Sequence, residues 1–247
     1  MATNGVGFTG AIVEANVSPQ AAYAYRSGMG MMPSTEFQVV FDDFVDLVST
    51  NVPTGWAAAI IDTGATAVAS TTAALGANGA LLMSDASVSE GVAIYMPRAI
   101  QLTAGKRFFM EMRVRTDDVT DNAIQFGLTD LTATTNPEDL WTTTAANVVS
   151  FGILDGSAVT GMLSDAGNSG TTVQAGTRSM VANTWHVLAI QYDGLRLRGY
   201  VDGKLSLLWS GVIPTGVALA PFIGVLNGNG GGAAVNTVDY FRYVSER

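Results

Sequence analysis

From Glu36 onward the chain alternates apolar and polar positions in short runs separated by Gly, Asn, Asp and Thr. A period of two predicts strands rather than helices. Phe37, Val39 and Phe41 alternate with Gln38 and Val40. Further strands are expected at 56–61, 80–84, 92–98, 107–116, 123–131, 148–155, 158–164, 184–193, 195–202, 205–210, 217–226 and 235–244. The clearest stretch is NTWHVLAIQYDGLRLRGYVDGK, residues 183–204. It holds an apolar run from Trp185 to Tyr192, a turn at Asp193-Gly194, Leu195 and Leu197 alternating with Arg196 and Arg198, and a second turn at Asp202-Gly203. Asp-Gly pairs supply the positive backbone angles of tight hairpins, so three antiparallel strands are expected in succession up to Trp209. One helix start is legible: Asn136-Pro137-Glu138-Asp139 offers an Asn cap, Pro at the first helical position and acids in the first turn.

No fixed repeat and no Pro- or Ser-rich linker interrupts residues 36–247, which therefore read as one all-β domain, a two-sheet antiparallel sandwich. Residues 1–35 differ, because no period of 2 or 3.6 persists there. They are nonetheless apolar, with Phe8, Ile12, Val13, Val17, Tyr23, Tyr25, Met29, Met31 and Met32. Such a segment loses by exposure and is expected to pack as an extended N-terminal arm, either on a neighbouring subunit or on its own sandwich. Fully stretched, it spans roughly 115 Å at about 3.3 Å per residue.

Composition narrows the function classes. Of the 247 residues 48% are hydrophobic and 13% charged, enough to build a core. The net charge of −9 gives no general attraction for nucleic acid or an anionic membrane, and neither is expected as a partner. Lys106 and Lys204 are the only lysines, and Arg113, Arg115, Arg196 and Arg198 fall on alternating strand positions that read as a solvated sheet face. There is no cysteine, hence no disulfide and no thiolate metal site. The opening MATNGVGFTG lacks the basic and apolar regions of a secretion signal, and a protein that is neither secreted nor membrane-bound is expected.

Trp185-His186 with its apolar run, Tyr192-Asp193-Gly194 and Tyr200-Val201-Asp202-Gly203-Lys204 resemble the central meander of concanavalin A-like jelly rolls of the laminin-G and laminarinase type. Phe41-Asp42-Asp43-Phe44 is similar to the opening strand of that superfamily, and Val238-Asp239-Tyr240-Phe241-Arg242-Tyr243 to its closing strand. The resemblance implies that these two strands pair. It also implies an activity to test, since laminarinase-type members cleave β-glucans with two glutamates and an aspartate on alternate residues of one strand. Retaining glycosidases need two carboxyl groups about 5–5.5 Å apart. Glu111 is followed on its strand face by Arg113 and Arg115, and Asp117, Asp118 and Asp121 lie beyond the strand end, so no catalytic residues and no enzyme are expected.

The remaining chemistry is sparse. The lone His186 excludes a multi-histidine metal site and reads as a sheet residue. GNGGG at 228–232 lies between two strands and reads as a turn rather than a phosphate loop. No cofactor is expected, with calcium kept as the one ion that acid-rich loops suit: at Asp43 and Asp239, where the resemblance puts it, or in TDDVTDN at 116–122. A glycan platform would use an exposed aromatic, and Trp141 in a Thr-rich insertion is the best placed, since Trp185 and Trp209 read as core.

Together, the apolar arm, the missing acids and the Ala-, Thr- and Gly-rich loops resemble a bacteriophage capsid decoration, or cement, protein. That resemblance implies a structural protein on the outer surface of the virion, bound to the major capsid protein and to itself as a trimer or dimer. Tyr23, Tyr25, Arg26, Met29, Met31 and Met32 would make the contacts. The alternative is a lectin-like module that binds surface glycans.

Overall fold

The computed structural model describes residues 37–42, 44, 55–60, 66–70, 80–84, 91–97, 100–103, 105–130, 147–154, 156–167, 172–227 and 234–246. The arm, the helix start at Asn136 and the boundary between residues 35 and 36 lie outside them. Every regular element among the described residues is a strand. In chain order they are β1 (Phe37–Asp42), β2 (Ala57–Ile60), β3 (Thr66–Ser70), β4 (Ala80–Ser84), β5 (Gly91–Tyr95), β6 (Ile100–Gln101), β7 (Phe108–Thr116) and β8 (Asn122–Thr129). They continue as β9 (Asn147–Ile153), β10 (Val159–Ala166), β11 (Thr172–Ser179), β12 (His186–Tyr192), β13 (Leu197–Val201), β14 (Lys204–Leu208), β15 (Ala218–Asn227) and β16 (Val235–Glu246).

They form two antiparallel sheets. The first has the order β14-β13-β12-β7-β16-β4-β3, with β1 also on β16. The second has the order β11-β10-β9-β8-β15-β5-β2, with β6 also on β15. Opening and closing strands pair as the resemblance implies, from Phe37↔Glu246 to Asp42↔Phe241. Three strands escaped the sequence reading: β3, β6 and β11. TAVAS and TVQAGTRS are short of large apolar residues because β3 and β11 are edge strands, and an edge needs less burial to be held.

The core lies between the sheets. Met110, Met112 and Val114 of β7, Leu188, Ile190 and Tyr192 of β12, and Phe241 and Tyr243 of β16 face Phe126 of β8, Phe151 of β9 and Ile223 of β15. Each fully buried large apolar side chain contributes about 1.5–3 kcal/mol, and this continuous cluster is what holds the sheets together. Trp56 and Trp209 belong to it and are almost fully buried. Trp56 donates Nε1–H to Asp42 Oδ2 at 2.7 Å and meets the Phe241 ring edge-on at 5.4 Å. Asp42 Oδ1 also accepts the Phe44 N–H, which supports Phe44 at φ +53° as the chain leaves β1.

One edge of the sandwich is closed by side chains. Ser206 Oγ of β14 accepts the N–H groups of Thr177 and Arg178 on β11 at 3.2 and 3.1 Å and meets Thr160 Oγ1 at 2.9 Å. Gln174 Nε2 donates to Leu208 O across the same seam. The two edge strands thereby satisfy each other's polar groups instead of offering open ladders.

The hairpins follow the Asp-Gly signals in different ways. Asp202 and Gly203 both take positive φ, +50° and +72°, as the two-residue turn requires. At Asp193-Gly194 only Gly194 does so, at +93°. Asp193 instead accepts the N–H groups of Leu195 and Arg196 on Oδ1, so the turn runs four residues and β13 begins at Leu197 rather than Leu195.

Candidate functional site

Because Leu188, Ile190 and Tyr192 point into the core, the alternation of β12 turns Val187, Ala189 and Gln191 to the outer face of the first sheet. Trp185 precedes β12 in the same phase. It is partly exposed, not core as the apolar run suggested, and the Arg113 guanidinium lies over its ring at 4.7 Å from the centroid. On β7 the outward positions are Phe109, Glu111, Arg113 and Arg115, since Phe108, Met110, Met112 and Val114 are core.

A bulge in β16 completes this arrangement. Val238 pairs with Val114 and Tyr240 with Arg113, so Asp239 is the extra residue. Bulges re-aim side chains, and Asp239 Oδ2 accepts from Arg113 Nη1 at 2.6 Å. Arg113 and Asp239 are 39% and 29% exposed, so the pair adds at most about 1 kcal/mol. Its consequence is positional: Arg113 is held over the Trp185 ring, beside the partly exposed Tyr240.

One row deeper the face is dry. Glu111 Oε1 accepts from Tyr240 Oη at 2.7 Å and forms an ion pair with Arg242, whose Nη2 lies 2.8 Å away. Glu111 and Arg242 are 1% and 6% exposed, and the Arg242 guanidinium rests over the Phe109 ring. Burial pushes the Glu111 carboxyl above its ordinary value, against the opposing pull of the Arg242 charge and the Tyr240 hydrogen bond. Burial and the adjacent Glu111 raise the Tyr240 phenol well beyond its usual range, so it remains a hydrogen-bond donor. In the next row Tyr200 Oη donates to Gln191 Oε1 at 2.8 Å.

His186 points the other way. Its Nε2 accepts the Val181 N–H at 2.9 Å, which leaves the proton on Nδ1 to be donated to Asp202 Oδ2 at 2.8 Å. Both nitrogens are committed, and the residue ties the start of β12 to the Asp202-Gly203 turn.

Two of the acidic residues considered for calcium accept backbone N–H groups. Asp117 Oδ1 accepts the Val235 N–H at 2.7 Å, and Asp118 Oδ1 accepts those of Thr120 and Asp121 at 2.7 and 3.1 Å. Asp239 is taken by Arg113, Asp43 lies outside the described residues, and among those residues no three His, Asp or Glu come together. The backbone N–H groups of Thr120 and Asp121 hold the Asp118 carboxyl below its ordinary value. A depressed pKa contributes stability that is present above the unfolded value near 3.8 and is lost as pH falls through the folded one. Asp118→Asn, which keeps the acceptor without titrating, is expected to lose less stability than the wild type between about pH 5 and pH 2. Parallel urea melts across that range check it; superimposable profiles would remove Asp118 from the acid response.

Tyr23, Tyr25, Arg26, Met29, Met31, Met32 and Trp141 all lie outside the described residues. Trp185, Tyr240 and the Asp239 bulge were missed by the sequence reading. The available signal was the spacing of Leu188, Ile190 and Tyr192, which fixes the phase of β12; Val187 and Ala189, apolar but outward, obscured it.

No family model matches the chain, and no curated protein sequence matches it. Solved structures do. The carbohydrate recognition domain of Emp47p superposes with a TM-score of 0.58 at 13% identity, covering 86% of this chain and 98% of that one. The fold is a concanavalin A-like jelly roll. A putative β-glucanase from Mycobacterium abscessus matches at TM-score 0.54 and 16% identity, covering 83% of this chain and 98% of the other. The β-glucanase of Bacillus licheniformis matches at 0.53 and 14%, covering 83% and 97%. These structures correct one expectation. Arg113 and Arg115 after Glu111 on β7 predict no enzyme, yet this jelly roll is shared by glucanases as well as by a carbohydrate recognition domain, so those arginines do not exclude one.

Proposed function

We propose that this jelly roll is a carbohydrate-binding domain and that the outer face of the first sheet around Trp185 is its platform. The observation that carries the reading is the pairing of a partly exposed indole with polar groups fixed around it. Arg113 lies on the ring, Asp239 holds Arg113, and Tyr240 stands on the adjacent strand. Sugar rings present apolar C–H faces rimmed by hydroxyls, which suits an aromatic surface bordered by a few oriented donors and acceptors. The fold is compatible with this role, being that of a carbohydrate recognition domain and of glucanases.

The expected result is that laminarihexaose or cellohexaose binds in a calorimetric titration and that Trp185→Ala weakens it by at least about tenfold without lowering the melting temperature. Equal binding by the variant would remove the platform. The same samples are read for new reducing ends, whose release would extend the reading from binding to cleavage.

The capsid-decoration reading rests on residues 1–35, with Tyr23, Tyr25, Arg26, Met29, Met31 and Met32, and these lie outside the described residues. It therefore forms no part of this proposal.

A further inference from the structure

Three of the arginines near this face have a carboxylate partner: Arg113 with Asp239, Arg198 with Asp193 and Arg242 with Glu111. Arg115 does not. Its guanidinium makes one hydrogen bond, from Nη2 to the Oδ1 of Asn183 at 3.1 Å, and that partner is neutral. Val114 pairs with His186, so Arg115 lies across from Trp185. It shares the outer face with Arg113, about 6.6 Å along the strand at 3.3 Å per residue. Of the acids nearby, Asp117 accepts the Val235 N–H, Asp118 accepts N–H groups of its own turn, and Asp239 pairs with Arg113.

We infer that the platform selects glycans bearing carboxylates, that is, uronic-acid units, and that Arg115 binds the carboxylate. The inference rests on the carbohydrate-binding reading. A guanidinium presents a planar fork of N–H donors that matches a carboxylate in bidentate fashion. Asn183 orients that fork: its backbone N–H is fixed to Thr116 O at 2.7 Å, and its own φ is +59°. The net charge of −9 sharpens the argument. The chain as a whole repels a polyanion, so a partly exposed arginine without a carboxylate, set beside an aromatic ring, acts only at contact distance. A sugar ring on Trp185 that carries its carboxylate toward Arg115 meets both requirements at once.

The test uses laminarihexaose and cellohexaose beside their C6-oxidised, uronate forms. Each oxidised hexamer is expected to bind about tenfold more tightly than its parent at about 50 mM salt, with the difference closing at about 500 mM. Arg115→Gln should abolish that difference and leave the parent's affinity unchanged, while Trp185→Ala weakens all four ligands. Trp185-dependent binding with no preference for the oxidised form, or a preference that survives Arg115→Gln, overturns the acidic-glycan inference and leaves the carbohydrate reading standing. Binding of none of the four, or binding indifferent to Trp185, overturns both.

Discussion

Glu111→Ala is expected to destabilise the fold by about 3–5 kcal/mol, because it strips the carboxylate from a buried guanidinium. Arg242 is 6% exposed and lies over Phe109, where water cannot replace the lost partner. Tyr240 loses its acceptor at the same time. For a domain of this size each kcal/mol moves the melting temperature by about 2–4 °C, so a fall near 10 °C is the readout. The effect belongs to the broken pair and not to the pair's own worth. Glu111→Leu combined with Arg242→Met should therefore recover most of the loss, since an apolar pair of similar volume escapes the desolvation cost. A urea melt that finds Glu111→Ala within about 1 kcal/mol of wild type would show that Arg242 is not confined as described.

Gly152→Ala is the second large effect, expected at about 3 kcal/mol. Gly152 faces Gln125 across the β8–β9 ladder, and a Cβ there would stand 1.9 Å from the carbonyl oxygen of Ile124 and 2.9 Å from its carbon. Those atoms are backbone, so no rotamer change makes room and the two strands must part. Gly127 meets the same limit two pairs along, its Cβ position being 1.9 Å from Val149 O. Gly156→Ala is the contrast: φ is +78° but nothing lies within 4 Å, so it carries only backbone strain of about 1–2 kcal/mol. Equal losses at Gly152 and Gly156 would show that β8 and β9 are less closely apposed than this.

Much of the fold is legible in the chain because strand alternation and turn chemistry are local. Asp202-Gly203 encodes its turn outright, and the phase of Leu188, Ile190 and Tyr192 encodes which side of β12 is core. β3 and β11 were not legible, since TAVAS and TVQAGTRS are held by neighbouring strands and by the Ser206 seam rather than by their own hydrophobicity. The site was hidden for a related reason. Trp185 reads as the head of an apolar run, and only knowing which strands flank β12 turns it into a surface residue.

The sequence by itself determined the class: a sandwich of short antiparallel strands with the first and last paired, no thiol chemistry, and one histidine without a second to share a metal. Tertiary structure alone decided which charges have partners. Glu111 and Arg242 are separated by 131 residues, Arg113 and Asp239 by 126, and they meet because β7 and β16 are neighbours with a one-residue bulge between their registers. A carboxylate's partner depends on strand order and register, which are set by the burial of the whole core. That no carboxylate among the described residues pairs with Arg115, on which the proposed ligand chemistry turns, is likewise a property of that packing.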